Sequence, residues 1–169
     1  MRVPTTLMVS AVSCAAALAT LAVPAAAASA DPDNHGGDRV AHGRADLTGR
    51  QEVPGPGDPD GSGEFWYQIK HGTLCYSLNV RKISQPTAAH IHAGKRGVAG
   101  PVVVTLKTPT YGSAKGCIKA KPHQTTANAE KVLTYRELKQ IACKPGKFYA
   151  NVHNNPYPDG AIRGQLRRQ

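Results

Sequence analysis

The chain has 169 residues and carries 21 Lys and Arg against 11 Asp and Glu, a formal net charge of +10. Its 17 Gly and 13 Pro are too many for a helical bundle and too few for collagen, and this length supports one ordinary domain. The aromatic residues (6 Tyr, 2 Phe, 1 Trp) are too few for base-stacking platforms and the basic residues are scattered, which argues against nucleic-acid binding.

The first thirty residues read as a leader. Arg2 supplies a short positive start, Leu7 to Val23 is apolar and uncharged, and Ala28-Ser29-Ala30 before Asp31 is a small-residue cleavage signal. That is the pattern of a secretory signal peptide over residues 1–30. A membrane anchor fits less well, because the apolar run stops at Pro24. A lipoprotein reading through Cys14 lacks the usual branched residue before the cysteine. No second apolar stretch follows, so no transmembrane segment is expected in the mature chain. Loss of Arg2 takes the charge from +10 to +9. A secreted protein this basic would be drawn to anionic cell-surface polymers, but its basic residues are scattered, with Arg167-Arg168 the only tight pair, and plain solubility accounts for the charge better.

Residues 31–43 (DPDNHGGDRVAHG) are polar and Gly-rich. They bury too little apolar surface to offset the entropy of ordering, so a disordered leader is expected there and a folded domain over 44–169. Period-two alternation then dominates. Glu64 to Lys70 puts Phe65, Tyr67 and Ile69 on one face, and Leu74 to Arg81 puts Leu74, Tyr76, Leu78 and Val80 on one face. Lys70-His71-Gly72-Thr73 joins the two as a hairpin turn.

Ala88 to His92 reads as a short strand before a glycine loop (Gly94, Gly97, Gly100), and Val102 to Leu106 as a β-branched strand. Thr134-Tyr135-Arg136-Glu137 has the form of a capping box. It opens a short helix over 135–142 with Leu138, Ile141 and Ala142 as its apolar stripe, stopped by Lys144-Pro145-Gly146. Phe148 to His153 alternates again. Past the Asn154–Gly160 turn, Ile162, Gly164 and Leu166 form the inner face of a last strand, with Arg163 and Gln165 opposite. The expected fold is all-β, a Greek-key-like β-sandwich with one short peripheral helix.

Four ordered segments resemble one family. They are Leu47-Thr48-Gly49-Arg50-Gln51-Glu52-Val53-Pro54; Leu74-Cys75-Tyr76-Ser77-Leu78; Ala88-Ala89-His90-Ile91-His92 with Gly94, Gly97 and Gly100-Pro101-Val102-Val103-Val104; and Tyr149-Ala150-Asn151-Val152-His153 with Tyr157-Pro158 and Gly160 to Leu166. Together they are similar to the CHRD domain, named for chordin and found also in secreted microbial proteins. The resemblance spans residues 44–166. One departure is Ala161, where the family usually has Glu. The resemblance implies a secreted β domain and no particular reaction.

Several constellations could carry chemistry. His90 and His92, two apart on a strand, point to one face. With His153 from another strand they could form a three-nitrogen site suited to copper or zinc. His-Ile-His, a later Val-His strand and an Ile-Arg-Gly also resemble the order of copper ligands and active-site arginine in Cu/Zn superoxide dismutases, though a bridging histidine and a zinc loop are missing. The plainer alternative is that His90 and His92 bond backbone and shape the glycine loop. Glu52 and Arg163, in the first and last family segments, are expected to form a bidentate pair that fixes strand register. Asp58, Asp60, Ser62 and Glu64 alternate oxygen atoms, but the EF-hand spacing is not met and a plain hairpin connection fits better. No nucleophile-elbow, zincin or P-loop motif is present.

Cys75, Cys117 and Cys143 follow the leader, and export favours a disulfide. The resemblance to bacterial CHRD sequences implies Cys75–Cys117, leaving Cys143 as a spare thiol. Cys117–Cys143 is the alternative. The sequence therefore points to a secreted binding or structural module without catalysis, its partner an extracellular protein or an anionic surface polymer. The alternative is a copper protein with a three-histidine site and superoxide dismutase-like redox activity.

Overall fold

Residues 40–169 are described by the structure, a computed structural model. The signal-peptide reading of 1–30, and most of the leader read over 31–43, lie outside them. The strands are β1 (Ala41–Thr48), β2 (Ser62–Lys70), β3 (Thr73–Arg81), β4 (Pro86–Ala93), β5 (Val102–Thr105), β6 (Ser113–Lys119), β7 (Phe148–Asn154), β8 (Ile162–Gln165) and β9 (Arg167–Arg168). One helix, α1 (Tyr135–Cys143), lies between β6 and β7.

The strands form one curled antiparallel sheet in the order β5-β4-β7-β8-β1-β2-β3-β6, with β9 also on β1. The fold is all-β and sandwich-like. The chain leaves one half of the sheet after β3, builds β4 and β5 in the other half, and returns for β6. Both halves share one core, which joins Phe65, Leu74 and Leu78 to Ile91, Val104, Val152 and Ile162. The Tyr76 hydroxyl ties the halves together by accepting the Lys107 N–H at 2.7 Å.

Local chemistry explains the principal elements. β2 and β3 pair along their whole length, from Ser62↔Arg81 to Lys70↔Thr73. Their turn puts both His71 (φ 47°) and Gly72 (φ 69°) in the left-handed region, and this conformation matches the twist of the flanking strands. In α1 the Thr134 hydroxyl accepts the Glu137 N–H at 3.2 Å, and the Glu137 carboxylate accepts the Thr134 N–H at 2.8 Å. The helix buries Leu138 and Ile141, and a single turn of 3-10 helix at Pro145–Lys147 follows it. Cys75 and Cys117 sit directly opposite each other on β3 and β6 and are disulfide-bonded, while Cys143 is free and exposed.

Three features differ from the sequence reading. β1 begins at Ala41, inside the segment read as disordered, and pairs Ala41↔Ile69 and Gly43↔Tyr67. Gly43 permits this because the Tyr67 ring occupies the space a Cβ would need. β6 gave no strand signal because it is a sheet edge with no buried residue, its few apolar side chains interrupted by Lys and Gly. Finally, β7 is buried on both faces: Tyr149 and Asn151 are as enclosed as Phe148 and Ala150. Among the described residues, no helix is long and apolar enough to cross a membrane.

Candidate metal centre

The polar face of β4, β7 and β8 is laid out by register. His90 pairs with Asn151, and Asn151 with Arg163; one step along, His92 pairs with Tyr149, and Tyr149 with Gln165. His153 lies opposite Ala88, diagonal to His90. Directly paired residues share a face of a sheet, so these side chains form one polar layer over the strands.

Within it His90, His92 and His153 converge, and one ring nitrogen of each lies within 4.8 Å of the others. His90 Nδ1 is 3.1 Å from His153 Nε2. His92 Nδ1 is 2.9 Å from the Gly100 carbonyl, and His153 Nδ1 is 2.8 Å from the Pro158 carbonyl. A carbonyl oxygen only accepts, so each of these Nδ1 atoms carries the proton and each Nε2 presents its lone pair. The His153 lone pair receives His90 Nδ1–H. His92 Nε2 is buried and has no partner.

That orphaned nitrogen is the test of fit for a metal. Buried polar atoms are nearly always bonded, and this one belongs to a ring set beside two further imidazoles. Metal-bound imidazoles ordinarily donate their other N–H to a carbonyl, as His92 and His153 do here. Bonds of about 2.0–2.1 Å place ligand nitrogens about 3–4 Å apart, so the widest gap must close by roughly 1 Å. Burial, with His153 and His92 nearby, pushes the His90 imidazole down to about 4. Burial also lowers His92, reinforced by His153 and Arg163 and opposed by its bond to Gly100. Both shifts favour the neutral form, which is the ligating one.

Tyr149, Arg163 and the Gly100 backbone hold the rings in place. Tyr149 stacks on His92 with centroids 4.8 Å apart and planes 10° apart. The Arg163 guanidinium lies 3.5 Å from the Tyr149 ring centroid. The Tyr149 hydroxyl accepts the Gly100 N–H at 3.1 Å, so the residue whose carbonyl orients His92 is itself fixed. The alternation of β7 puts Tyr149, Asn151 and His153 on one face, which was the available signal for these residues.

Glu52 and Arg163 do not form the bidentate pair expected from the sequence. Arg163 directs Nη2 to the carbonyls of Lys95 and Val98, 2.9 Å from each, and so braces the loop after β4. Glu52 instead accepts from Asn151 Nδ2 at 2.7 Å. The guanidinium is taken up by the loop carbonyls, and Asn151, paired with Arg163 across β7 and β8, engages the carboxyl. The two charges still sense one another. Burial pushes the Glu52 carboxyl up to about 8, against the lowering effect of Arg163, the Val53 N–H and Asn151. The acids Asp58, Asp60 and Glu64 do not gather into a metal-binding group among the described residues; they belong to the connection from β1 to β2.

A family model for the CHRD domain matches residues 43–166. The chain belongs to the CHRD domain family. The match covers nearly every described residue, so the CHRD domain and the folded domain are the same object. Neither a curated protein nor a solved structure matches the chain. The likeness to superoxide dismutases therefore rests on the order of residues alone. The CHRD family and the disulfide are consistent with an extracellular binding or structural module.

Proposed function

We propose that this CHRD domain is a secreted module whose working site is a mononuclear copper centre held by His90, His92 and His153. The observation that carries this reading is the buried, unpartnered Nε2 of His92, set beside two other imidazoles. Three neutral nitrogens suit copper or zinc, and divalent copper stands above zinc in intrinsic affinity for such donors. Bound copper would supply one-electron chemistry. The chain's own residues orient the ligands: Gly100 and Pro158 select the tautomers, and Tyr149 fixes the plane of His92. Arg163 keeps positive charge close to the site, which favours an anionic small molecule approaching it. The leader, the disulfide and the family support the extracellular location.

A second reading has its own support. The bonds of His92 to Gly100 and of His153 to Pro158 also pin two loops, which is the role of histidines in a purely architectural module. Copper titration of the purified protein, followed by calorimetry and electron paramagnetic resonance, separates the two. One copper per chain with nitrogen hyperfine structure supports the metal centre. No uptake at stoichiometric copper leaves the architectural module.

A further inference from the structure

Away from the histidines, a cleft of about 430 Å³ opens where the end of β1, the turn after it, the loop after β4 and the C-terminal strands meet. Three arginines line it from distant parts of the sequence: Arg50, Arg96 and Arg167. The only acidic residue of the lining is Asp46, which is ion-paired with Arg167, so the cleft keeps two net positive charges.

The arginines are held from behind. Arg50 sits on the 3-10 turn Gly49–Gln51, whose first carbonyl accepts the N–H groups of Glu52 at 3.0 Å and Gly57 at 3.1 Å. Gln51 donates to the Asp46 carbonyl at 2.8 Å and to Thr48 Oγ1 at 3.3 Å, and its own Oε1 accepts from Arg96 at 3.3 Å. Arg96 is thereby tied across to the end of β1. Arg50 makes no hydrogen bond or ion pair within the described residues.

We infer that this cleft binds an acidic polysaccharide through its carboxylate or sulfate groups. Arginine forks recognise planar or tetrahedral oxyanions through paired N–H bonds. Of the remaining lining, the Thr48 hydroxyl is placed to donate to a sugar oxygen, while the amides of Gln51 and Gln165 are engaged within the protein and shape the cleft wall. No aromatic side chain lines the cleft, so it has no platform for nucleobases. The inference rests on the extracellular part of the proposed function and not on the metal.

The test is fluorescence anisotropy of the full chain with a labelled heparin-derived hexasaccharide and an oligogalacturonate of equal length, at low and at physiological salt. The wild type is expected to bind at least one of them, more weakly as salt rises. Arg50→Ala/Arg96→Ala should weaken that binding about tenfold or more, or about 1.4 kcal/mol. Arg136→Ala/Lys139→Ala, an equal loss of charge on the exposed side of α1, should change it less than twofold. Equal losses in the two variants would reduce the effect to overall charge and overturn the site. So would failure of the wild type to bind either sugar. Single-stranded DNA of matched charge binding as tightly, with the same loss in Arg50→Ala/Arg96→Ala, would overturn the assignment to glycans. Copper uptake by Arg50→Ala/Arg96→Ala is expected to equal that of the wild type, so the metal reading stands or falls separately.

Discussion

His92 and Gly100 meet through one bond, 2.9 Å from ring Nδ1 to carbonyl oxygen, and that bond decides which nitrogen the histidine offers. With the proton held on Nδ1, the lone pair is on Nε2, which is buried beside His90 and His153 and receives no donor from the protein. A buried acceptor left in that state costs about 1–3 kcal/mol. The other contacts of His92, the stack on Tyr149 included, hold the ring in this orientation.

His92→Ala is therefore expected to reduce copper affinity about 100-fold or more, the scale seen when metal sites lose a ligand or its support. The same variant should also lose about 1 kcal/mol of thermal stability, because the Gly100 carbonyl loses its donor and Tyr149 its stacking partner, offset in part by removal of the orphaned nitrogen. His123→Ala, at an exposed position, should leave copper binding unchanged. Parallel titrations of the three proteins decide the matter. Equal uptake in all three would remove His92 from the site.

Much of this was legible in the sequence because period-two alternation is a direct consequence of strand geometry. Phe65, Tyr67 and Ile69 declared β2, and Thr134 with Glu137 declared the start of α1. The histidine cluster was legible too, since His90 and His92 must share a face and β7 was a recognisable partner strand. What was hidden depends on register and loop path. Nothing local in Gly100 or Pro158 says that their carbonyls receive imidazole protons. Arg163 was expected opposite the core, and it lies 1% exposed under a loop that its guanidinium holds. The pairing of Glu52 with Asn151 rather than Arg163 follows from the β7–β8 register, which sequence alone leaves open.

Glu52 and His90 should pull stability in opposite directions with pH. The Glu52 carboxyl ordinarily titrates at 4.5 and is raised to about 8 in the fold, so the folded state holds its proton more tightly. Its contribution is full below pH 4.5 and is lost as pH rises toward 8. His90 ordinarily titrates at 6.5 and is lowered to about 4, so its contribution is full above pH 6.5 and is lost as pH falls toward 4. Metal-free Glu52→Gln should accordingly gain stability over the wild type as pH rises through this range, while keeping the acid-side loss. Denaturant unfolding at pH 4.5, 6 and 8 measures it. A Glu52→Gln difference that does not change with pH would mean the buried carboxyl is ionised in the fold.

Cys75–Cys117 joins the edge strand β6 to β3 and closes a loop with a sequence separation of 42 residues. Restricting the unfolded chain by a loop of that length is worth about 3–4 kcal/mol. Cys75→Ser/Cys117→Ser should lose stability on that scale, with the β6 edge affected first. Alkylation without reduction, followed by peptide mapping, should label Cys143 and neither Cys75 nor Cys117, as its free and exposed thiol requires. A label on Cys75 would instead indicate a bond between Cys117 and Cys143.

Gly100→Ala tests whether the loop after β4 controls the histidines. A Cβ at Gly100 would collide with the backbone carbonyl of Ala93, and backbone cannot rotate away as a side chain can. The loop must therefore shift, carrying with it the carbonyl that accepts from His92 and the N–H that binds the Tyr149 hydroxyl. His92 would then lose both its tautomer selection and part of its support. The expected result is about a 10-fold or greater fall in copper affinity, as when the group that orients a ligating imidazole is lost, together with about 1–3 kcal/mol of stability. Gly97→Ala, in the same loop, is the companion variant. Its φ of 74° strains an alanine, but nothing lies within 4 Å of the added methyl, so any cost should appear in stability with copper affinity retained. Copper titration and thermal unfolding of both variants give the answer. If Gly100→Ala binds copper as the wild type does, the loop carbonyl does not set the ligand.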